Sequence, residues 1–260
     1  MGKELLVSWF VGFRPLACVI LLFSAATPAL LATEGGLVTG PQSRSYILIG
    51  FVGGLVRHDN VHHSPVKVAQ RLHQNFPKDT YIEVFENRHR RTALKTILHL
   101  LDANHDGVLS EDEKAAAHIM LFGHSWGASA VVLLARELNR MGVPVMLTVQ
   151  VDSVAKPWQN DAVIPENVAA AVNFYQPHGA IHGRSEIKAA DDSKTRILGN
   201  YRFDYKETPV HCEGYSWFDR NITRDHMQSE CDPHIWSQVE NLVRERMTPE
   251  PRNLAANPAP

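Results

Sequence analysis

The stretch HIMLFGHSWGASAVVLLARELNRMG, residues 118–142, decides the fold because it joins two different apolar patterns across a single serine. Residues 118–123 form a short apolar run that predicts a buried strand, and residues 128–142 predict a helix that ends at Gly142. Ser125 lies between the two, in the pattern G-x-S-x-G. That pattern occurs by chance in about one chain in ten of this length, so its meaning depends on the sequence around it.

Strands and helices alternate along most of the chain. The predicted strands are residues 45–54, 80–87, 118–123 and 143–152, and the predicted helices are residues 62–76, 90–102, 128–142 and 232–247. Between these blocks the pattern is weaker, and we expect a short helix at 165–172 and strands at 173–177 and 196–205. Apolar strands that alternate with helices predict an α/β fold, with a mostly parallel sheet and helices on both faces.

Composition and charge restrict the class of protein. The chain has 260 residues, with 26 lysines and arginines against 28 aspartates and glutamates, and a net charge of -2. This length suffices for one α/β domain with a full core, which we expect to span residues 40–247. Because no basic block is present, we expect no nucleic-acid partner. The last residues, 248–260, are rich in Pro, Asn and Ala and predict a disordered tail.

Residues 1–32 have the composition of an export signal. Lys3 and Arg14 precede an apolar stretch followed by small residues, which is typical of a signal peptide cleaved after Ala26 or Ala32. An uncleaved N-terminal anchor is the alternative, because the apolar stretch is almost long enough to span a bilayer. We therefore expect a secreted or periplasmic protein, with membrane association if this segment stays attached.

Two of the three cysteines remain once such a leader is removed. Cys18 lies within the leader, whereas Cys212 and Cys231 lie in the main part of the chain. An even pair in an oxidising compartment predicts a disulfide between Cys212 and Cys231. Closing a loop of this size stabilises the fold by about 3 kcal/mol in the chain-entropy model. Two buried free thiols are the alternative.

Ser125 has the surroundings that a nucleophilic serine needs. A turn from strand to helix lifts its side chain above the sheet edge, and Gly123 and Gly127 leave room for the tight backbone. The N-terminus of the following helix stabilises developing negative charge. The segment GHSWG resembles the nucleophile turn of the α/β-hydrolase superfamily (lipases, esterases and thioesterases), and the order of elements is similar from 46 to 247. The resemblance implies a three-layer α/β-hydrolase-like fold and a triad in the order Ser, acid, His.

The resemblance also points to the acid of the triad. Asp152 ends the predicted strand that follows the nucleophile helix, so its carboxylate would lie at the same sheet edge as Ser125. Some thioesterase-like members carry the acid at this strand, and we favour Asp152. Many hydrolases of this fold carry the acid one strand later, where Asp191 and Asp192 are the alternatives.

The base is expected in a loop just before the last helix, where the superfamily places its catalytic histidine. His226 matches that position, whereas His234 lies inside the first helical turn and His211 lies earlier, next to a cysteine. His226 also lies between Cys212 and Cys231, so the predicted disulfide would hold its loop in place.

An oxyanion hole requires two backbone N–H groups near Ser125. We expect one from Trp126, the residue after the serine, and one from Val52 at the end of the first strand, with Phe51 as the neighbouring alternative. The nearby segment RHDNVHH, residues 57–63, is interpreted as a polar loop at the edge of the site, with a metal cluster as the alternative.

A second motif precedes the nucleophile strand. DANHDGVLSEDE, residues 102–113, fits the pattern D-x-[DN]-x-[DN]-G-x5-E and resembles the calcium loop of an EF-hand. We expect it to bind Ca²⁺ and to stabilise the scaffold. An acidic turn without an ion is the alternative. The resemblance assigns the ligand positions to Asp102, Asn104, Asp106, Val108 (through its carbonyl), Ser110 and Glu113.

Two functions of different classes are consistent with these motifs. The favoured one is an exported serine hydrolase that cleaves small or lipid-like acyl esters or thioesters, with calcium in a structural role. The alternative is a non-catalytic calcium-binding protein on a hydrolase scaffold. Loop aromatic residues are candidates for an apolar acyl pocket, and local core is the alternative for each: Trp126, Trp158, Tyr215, Trp217 and Phe218.

Overall fold

The strands of the central sheet all run parallel. The computed structural model describes residues 46–76, 80–217, 221 and 223–247. The strands in this part are β1 (Tyr46–Val52), β2 (Thr80–Glu86), β3 (Ile119–His124), β4 (Val145–Val151), β5 (Val163–Ile164), β6 (Val168–Tyr175), β7 (Lys188–Ala189) and β8 (Arg196–Arg202). Among the described residues, six strands pair in the order β2-β1-β3-β4-β6-β8, and β5 pairs separately with β7.

The strand order reverses around β1. The chain passes from β1 to β2 on one side and then crosses to β3 on the other side of β1. In open parallel sheets, the carboxyl ends of the strands at such a reversal open onto a crevice that binds ligands. The carboxyl ends of β1 and β3 lead directly to Gly53 and Ser125, so both residues lie at this crevice.

Helices cover both faces of the sheet. They are α1 (Ser64–Asn75), α2 (Arg90–Leu101), α3 (Glu111–Ala115), α4 (Trp126–Arg140), α5 (Arg224–Cys231) and α6 (Pro233–Met247), with a short 3-10 helix at Asn87–His89. Ile47, Ile49 and Phe51 of β1 belong to a core shared with α2 and α4. Leu48 and Val52 belong to a second core, shared with α1 and α6. The alternation confirms the expected three-layer α/β fold with a parallel sheet.

One predicted element is wrong. The sequence predicts a helix at 165–172, but β6 occupies Val168–Tyr175. The three alanines at 169–171 favour a helix by intrinsic propensity. They instead lie in an interior strand, paired with β4 on one side and β8 on the other. Sheet pairing and burial therefore outweigh local propensity at this position.

The predicted leader, 1–32, and the predicted tail, 248–260, lie outside the described residues, so both stay predictions. The same holds for the expected start of the domain at residue 40. In the part of the chain that the structure describes, no helix combines the length and the apolar character needed to cross a bilayer.

The disulfide predicted between Cys212 and Cys231 is present. The two Cα atoms lie 5.7 Å apart, and the residues are 19 positions apart in the sequence. Cys231 is the last residue of α5, and Cys212 lies in the segment between β8 and that helix. The bond therefore attaches one end of α5 to the preceding loop.

We expect the double substitution Cys212→Ser and Cys231→Ser to lower the free energy of unfolding by about 3 kcal/mol, because it releases a loop of roughly 20 residues in the unfolded chain. Denaturant unfolding of the mature protein measures the change. The matched control is the wild-type protein under reductant, which should lose a similar amount, whereas the double variant should not respond to reductant. Equal stability of the wild-type protein with and without reductant would contradict the prediction.

Candidate active site

Ser125 lies in a turn that only small neighbours permit. It follows β3 directly and has φ +57° and ψ −125°, a left-handed conformation that is costly for a residue with a side chain. A Cβ atom on Gly123 would lie 2.6 Å from the carbonyl carbon of Gly127. A Cβ atom on Gly127 would lie 2.8 Å from the carbonyl carbon of Phe51. The two glycines of the motif are therefore required by backbone contacts within the turn and between the turn and β1.

The side chains of Ser125, His226 and Asp152 form a chain of two hydrogen bonds. Ser125 Oγ lies 2.8 Å from His226 Nε2, and His226 Nδ1 lies 2.6 Å from Asp152 Oδ2. All three residues are buried, and Asp152 is fully enclosed. Because an ionised carboxylate only accepts hydrogen bonds, Nδ1 of His226 carries a proton and Nε2 is free to accept one from the serine hydroxyl. This arrangement can activate Ser125 as a nucleophile.

Asp152 is held in place from the neighbouring strand. It follows β4 with φ +44°, and its Oδ1 accepts a hydrogen bond of 3.1 Å from the backbone N–H of Gln176. Its Oδ2 accepts a second, of 3.0 Å, from the Gln176 side chain. Gly183 packs against the same residue, since a Cβ atom there would lie 2.6 Å from Asp152 Cα. These contacts aim the carboxylate at His226.

The structure does not bring the alternative residues to Ser125. Asp191 lies in a turn after β7, where its carboxylate accepts hydrogen bonds from Ser193, which lower its pKa. Asp192 is exposed in the same turn. His211 and His234 are exposed as well. Of the acids and histidines considered from the sequence, His226 contacts the serine and Asp152 contacts His226, whereas the other candidates lie elsewhere in the described part of the chain.

His226 lies in a helix, and not in the loop expected from the sequence. α5 contains it in its first turn, although RDHMQSEC has no apolar stripe that would predict a helix. Contacts with the rest of the fold hold this segment. Gln228 accepts a hydrogen bond of 2.7 Å from the backbone N–H of Val210, and the disulfide fixes Cys231.

A buried carboxylate that sequence analysis missed lies four residues after His226. Glu230 Oε1 accepts hydrogen bonds of 2.9 Å from the backbone N–H of Ser64 and from His63 Nδ1, and Oε2 lies 2.8 Å from His124 Nδ1. Burial alone would raise the pKa of Glu230, but His124 and His63 hold it well below the usual range. The sequence contains one signal for this residue: Glu230 follows His226 by four positions, a spacing that places two side chains on the same face of a helix.

A cavity of about 440 Å³ opens beside Ser125. Its apolar wall contains Leu55, Val56, Trp126, Val154, Ile181 and Met227. Among the other aromatic candidates, Trp158 and Trp217 are exposed, and Tyr215 donates a hydrogen bond to the backbone of His62. Phe218 lies outside the described residues.

Of the two residues expected to form the oxyanion hole, one lines the cavity and the other does not. Trp126 follows Ser125 and lies in the cavity wall, at the first position of α4. Val52 is buried at the end of β1 and does not line the cavity, whereas Gly53 does. Phe51 is fully buried as well. The role of the Val52 N–H stays a prediction.

Segment 57–63 is a polar loop in the structure. Arg57 forms an ion pair with Asp59, and His63 faces Glu230. Among the described residues, three side chains of types that can bind a metal ion lie close together: His124, Asp152 and His226. The ring nitrogens and the carboxylate of these residues already contact one another or other side chains of the site, so we assign no metal to them.

The EF-hand-like loop connects α2 to α3 in a conformation set by its own side chains. Asp102 accepts hydrogen bonds from the backbone N–H groups of Asp106 and Gly107, at 3.1 and 2.9 Å. Ser110 and Glu113 cap α3 reciprocally. His105 and Gly107 have φ +59° and +82°, so the chain turns sharply at both positions. The loop is exposed, and α3 has only five residues.

Comparison with known proteins yields only weak structural similarities. No protein-family model and no curated protein matches the sequence. A cutinase-like protein from Cryptococcus sp. is 11% identical with a TM-score of 0.39, over 78% of this chain and 95% of that chain. An acetylxylan esterase is 10% identical with a TM-score of 0.39, over 78% and 99%. Dienelactone hydrolase from Anabaena variabilis is 13% identical with a TM-score of 0.35, over 80% and 87%.

We expect Gly53→Ala to displace Ser125, because the new Cβ atom would lie 2.8 Å from Ser125 Cβ and 3.0 Å from the His124 carbonyl oxygen. Labelling of Ser125 by a fluorophosphonate, a reagent that reacts with activated serines, should slow by about 10-fold or more. Mass spectrometry of the labelled peptide gives the rate.

Gly54→Ala is the matched control. Its Cβ atom would meet no atom of the described residues within 4 Å, although φ +50° makes the change costly by about 1 kcal/mol. We expect this variant to be less stable but to be labelled at the wild-type rate. Equal slowing in both variants would contradict a specific contact between Gly53 and Ser125.

Proposed function

We propose that this protein is a serine hydrolase of the α/β-hydrolase type that cleaves carboxylic esters or thioesters. The proposal is supported above all by the hydrogen-bond chain from Ser125 through His226 to Asp152, with distances of 2.8 and 2.6 Å. Its position at the strand reversal of a parallel sheet supports it as well.

The proposed reaction begins when Ser125 Oγ attacks the carbonyl carbon while His226 Nε2 takes the hydroxyl proton. Asp152 stabilises the resulting imidazolium through Nδ1. The N–H group of Trp126 is proposed to hold the oxyanion, and the N–H of Val52, which precedes the cavity-lining Gly53, stays the second donor predicted from the sequence. His226 then gives its proton to the leaving alcohol or thiol, and an acyl group stays on Ser125. Water then attacks the acyl carbon while His226 takes one of its protons, and His226 returns that proton to Ser125 Oγ as the acyl–oxygen bond breaks, which releases a carboxylic acid that ionises in water.

The cavity wall favours an acyl ester of low polarity. Leu55, Val56, Val154, Ile181 and Met227 line the cavity beside Ser125, and the described residues of this lining include no lysine or arginine. An apolar acyl chain gains about 0.8 kcal/mol for each methylene that it buries in such a wall. We therefore propose small or lipid-like acyl esters as substrates, and export, with the disulfide and the predicted leader as support.

Calcium binding is proposed as a structural property of loop 102–113. The loop presents the oxygen ligands that Ca²⁺ prefers, with carboxylates from Asp102, Asp106 and Glu113 and the amide oxygen of Asn104. The positive φ at Gly107 suits the sharp turn of an EF-hand loop. A bound ion would join α2 to α3 at the entrance of β3. No step of the proposed reaction passes through the ion.

We expect Ser125→Ala to lower kcat for p-nitrophenyl esters by about 10⁴-fold or more, and Asp152→Asn by a similar factor. Initial rates on a series of chain lengths from acetate to laurate measure this and give the size of the pocket. Ser129→Ala is the matched control, because Ser129 is one turn further along α4, buried, and its hydroxyl has no hydrogen-bond partner among the described residues.

Activity on these esters that survives Ser125→Ala would overturn the proposed mechanism. A folded wild-type protein that binds calcium and hydrolyses none of the esters would favour the non-catalytic alternative.

We expect calcium to raise the melting temperature of the wild-type protein, by an amount equivalent to about 2.7 kcal/mol at 100 times the dissociation constant. Glu113→Gln should abolish most of this shift, because it removes a charged ligand while an amide can still cap α3. The control is Glu111→Gln, at an exposed position that pairs with Lys114 and is no ligand position. Turnover per folded molecule should not change with calcium. A calcium shift that persists in Glu113→Gln would contradict the assignment.

A further inference from the structure

His124, the residue before the nucleophile, lies against the ring of His226. The two ring centroids are 4.7 Å apart and the ring planes are inclined by 29°, so the rings are stacked. Both side chains are buried. The proposed mechanism gives no role to His124, although no other imidazole of the described residues is placed in such contact with His226.

The partners of His124 define its protonation. Ser229 Oγ donates to the carbonyl oxygen of His226 at 2.7 Å, so it can only accept from His124 Nε2, which lies 3.1 Å away. His124 Nδ1 lies 2.8 Å from Glu230 Oε2, and although the two atoms are not aligned as a hydrogen bond, a proton on Nδ1 makes this contact an ion pair, whereas an unprotonated nitrogen would be repelled by the carboxylate. Both ring nitrogens therefore carry protons, and His124 is a buried imidazolium.

The electrostatic interaction between His124 and Glu230 also favours a charged His124. Burial disfavours a charge on His124, but the Glu230 carboxylate outweighs it and raises the pKa of His124 above the ordinary value. Glu230 is itself fixed by the N–H of Ser64 and by His63, at the beginning of α1. The pair thus connects the end of β3 to the start of α1 and to the helix that carries His226.

We propose that His124 is a positioning residue that acts through His226. As an imidazolium in contact with Glu230 and Ser229, it fixes the His226 ring by stacking against it. Its positive charge, 4.7 Å from the centre of that ring, repels a second positive charge there. The catalytic consequence rests on the proposed function, whereas the charge on His124 does not.

Other titratable groups face His226 from the elements around it. Asp152, at the end of β4, favours a proton on the ring, and Glu230, on the same helix, is neutralised by His124. His63 lies on the far side of Glu230. Tyr205, beyond Asp152, donates to Asp232, and burial raises its pKa so that it stays neutral. His124 is therefore the cation in contact with the ring.

The first test measures the charge on His124 and does not depend on catalytic activity. Histidine-selective ¹⁵N labelling of the wild-type protein and of Ser125→Ala shows by NMR whether a ring nitrogen is protonated. We expect one buried histidine, assigned to His124 by its loss in His124→Asn, to have both nitrogens protonated from pH 5 to pH 8. A single protonated nitrogen on His124 at pH 7 would overturn the proposal, whether or not the protein is a hydrolase.

The second test uses the acid limb of kcat/KM against pH for a p-nitrophenyl ester. His124→Asn removes the cation and exposes His226 to Glu230, so the limb should move upward by about one pH unit. Glu230→Gln should leave the limb near its wild-type position, because it removes the anion together with the His124 charge that the anion maintains, while an amide can still accept from Ser64 and His63. The exposed His73→Gln is the control and should change nothing.

The difference between the expected shifts of the two variants separates the proposal from a purely structural role. A structural role predicts that both substitutions disturb the same ion pair alike, so an equal shift in both variants would overturn the proposal. If neither single variant folds, the double variant His124→Asn/Glu230→Gln removes both charges, and NMR of the wild-type protein remains decisive. Turnover that survives Ser125→Ala contradicts the proposed function instead.

Discussion

The close approach of the Ser125 turn to β1 is the constraint on which the site depends. The left-handed backbone at Ser125 costs of the order of 1–3 kcal/mol and persists because the sheet on one side and α4 on the other fix it. Gly127 allows the first turn of α4 to lie against the backbone of Phe51. This contact places the serine hydroxyl above the sheet edge, beside the carboxyl end of β1. The cavity, the base and the acid all follow from that position.

His226 reaches this point from the other end of the chain, 101 residues away. This helix has only eight residues, most of them polar, and would not be stable alone, since isolated helices of this length are marginal in water. Its stability comes from contacts made by its two ends and its inner face. Cys231 is attached to the preceding loop, Glu230 reaches α1 and β3, and Tyr205 donates to Asp232, just after the helix. The base is thus held by several independent attachments.

Much of the fold could be predicted because apolar strands and striped helices carry local signals. The strand–turn–helix around Ser125 and the order Ser, Asp, His have such signals, and the structure places Asp152 and His226 together. Three points could not be read locally. The alanine-rich strand β6 is stabilised by pairing with its neighbours in the sheet. Helix α5 is stabilised by its contacts with other segments. The carboxylate of Glu230 meets its hydrogen-bond and ion-pair partners only when α1, β3 and α5 are assembled.

The calcium-type loop and the candidate active site lie at opposite ends of one strand. Loop 102–113 and α3 lead into β3 at Ile119, and Ser125 follows that strand at its other end. Six residues of extended chain, about 20 Å, separate the two edges of the sheet. The loop and Ser125 are therefore joined by one strand but remote from each other. A reporter group attached to the loop would follow its conformation from about 20 Å away from Ser125.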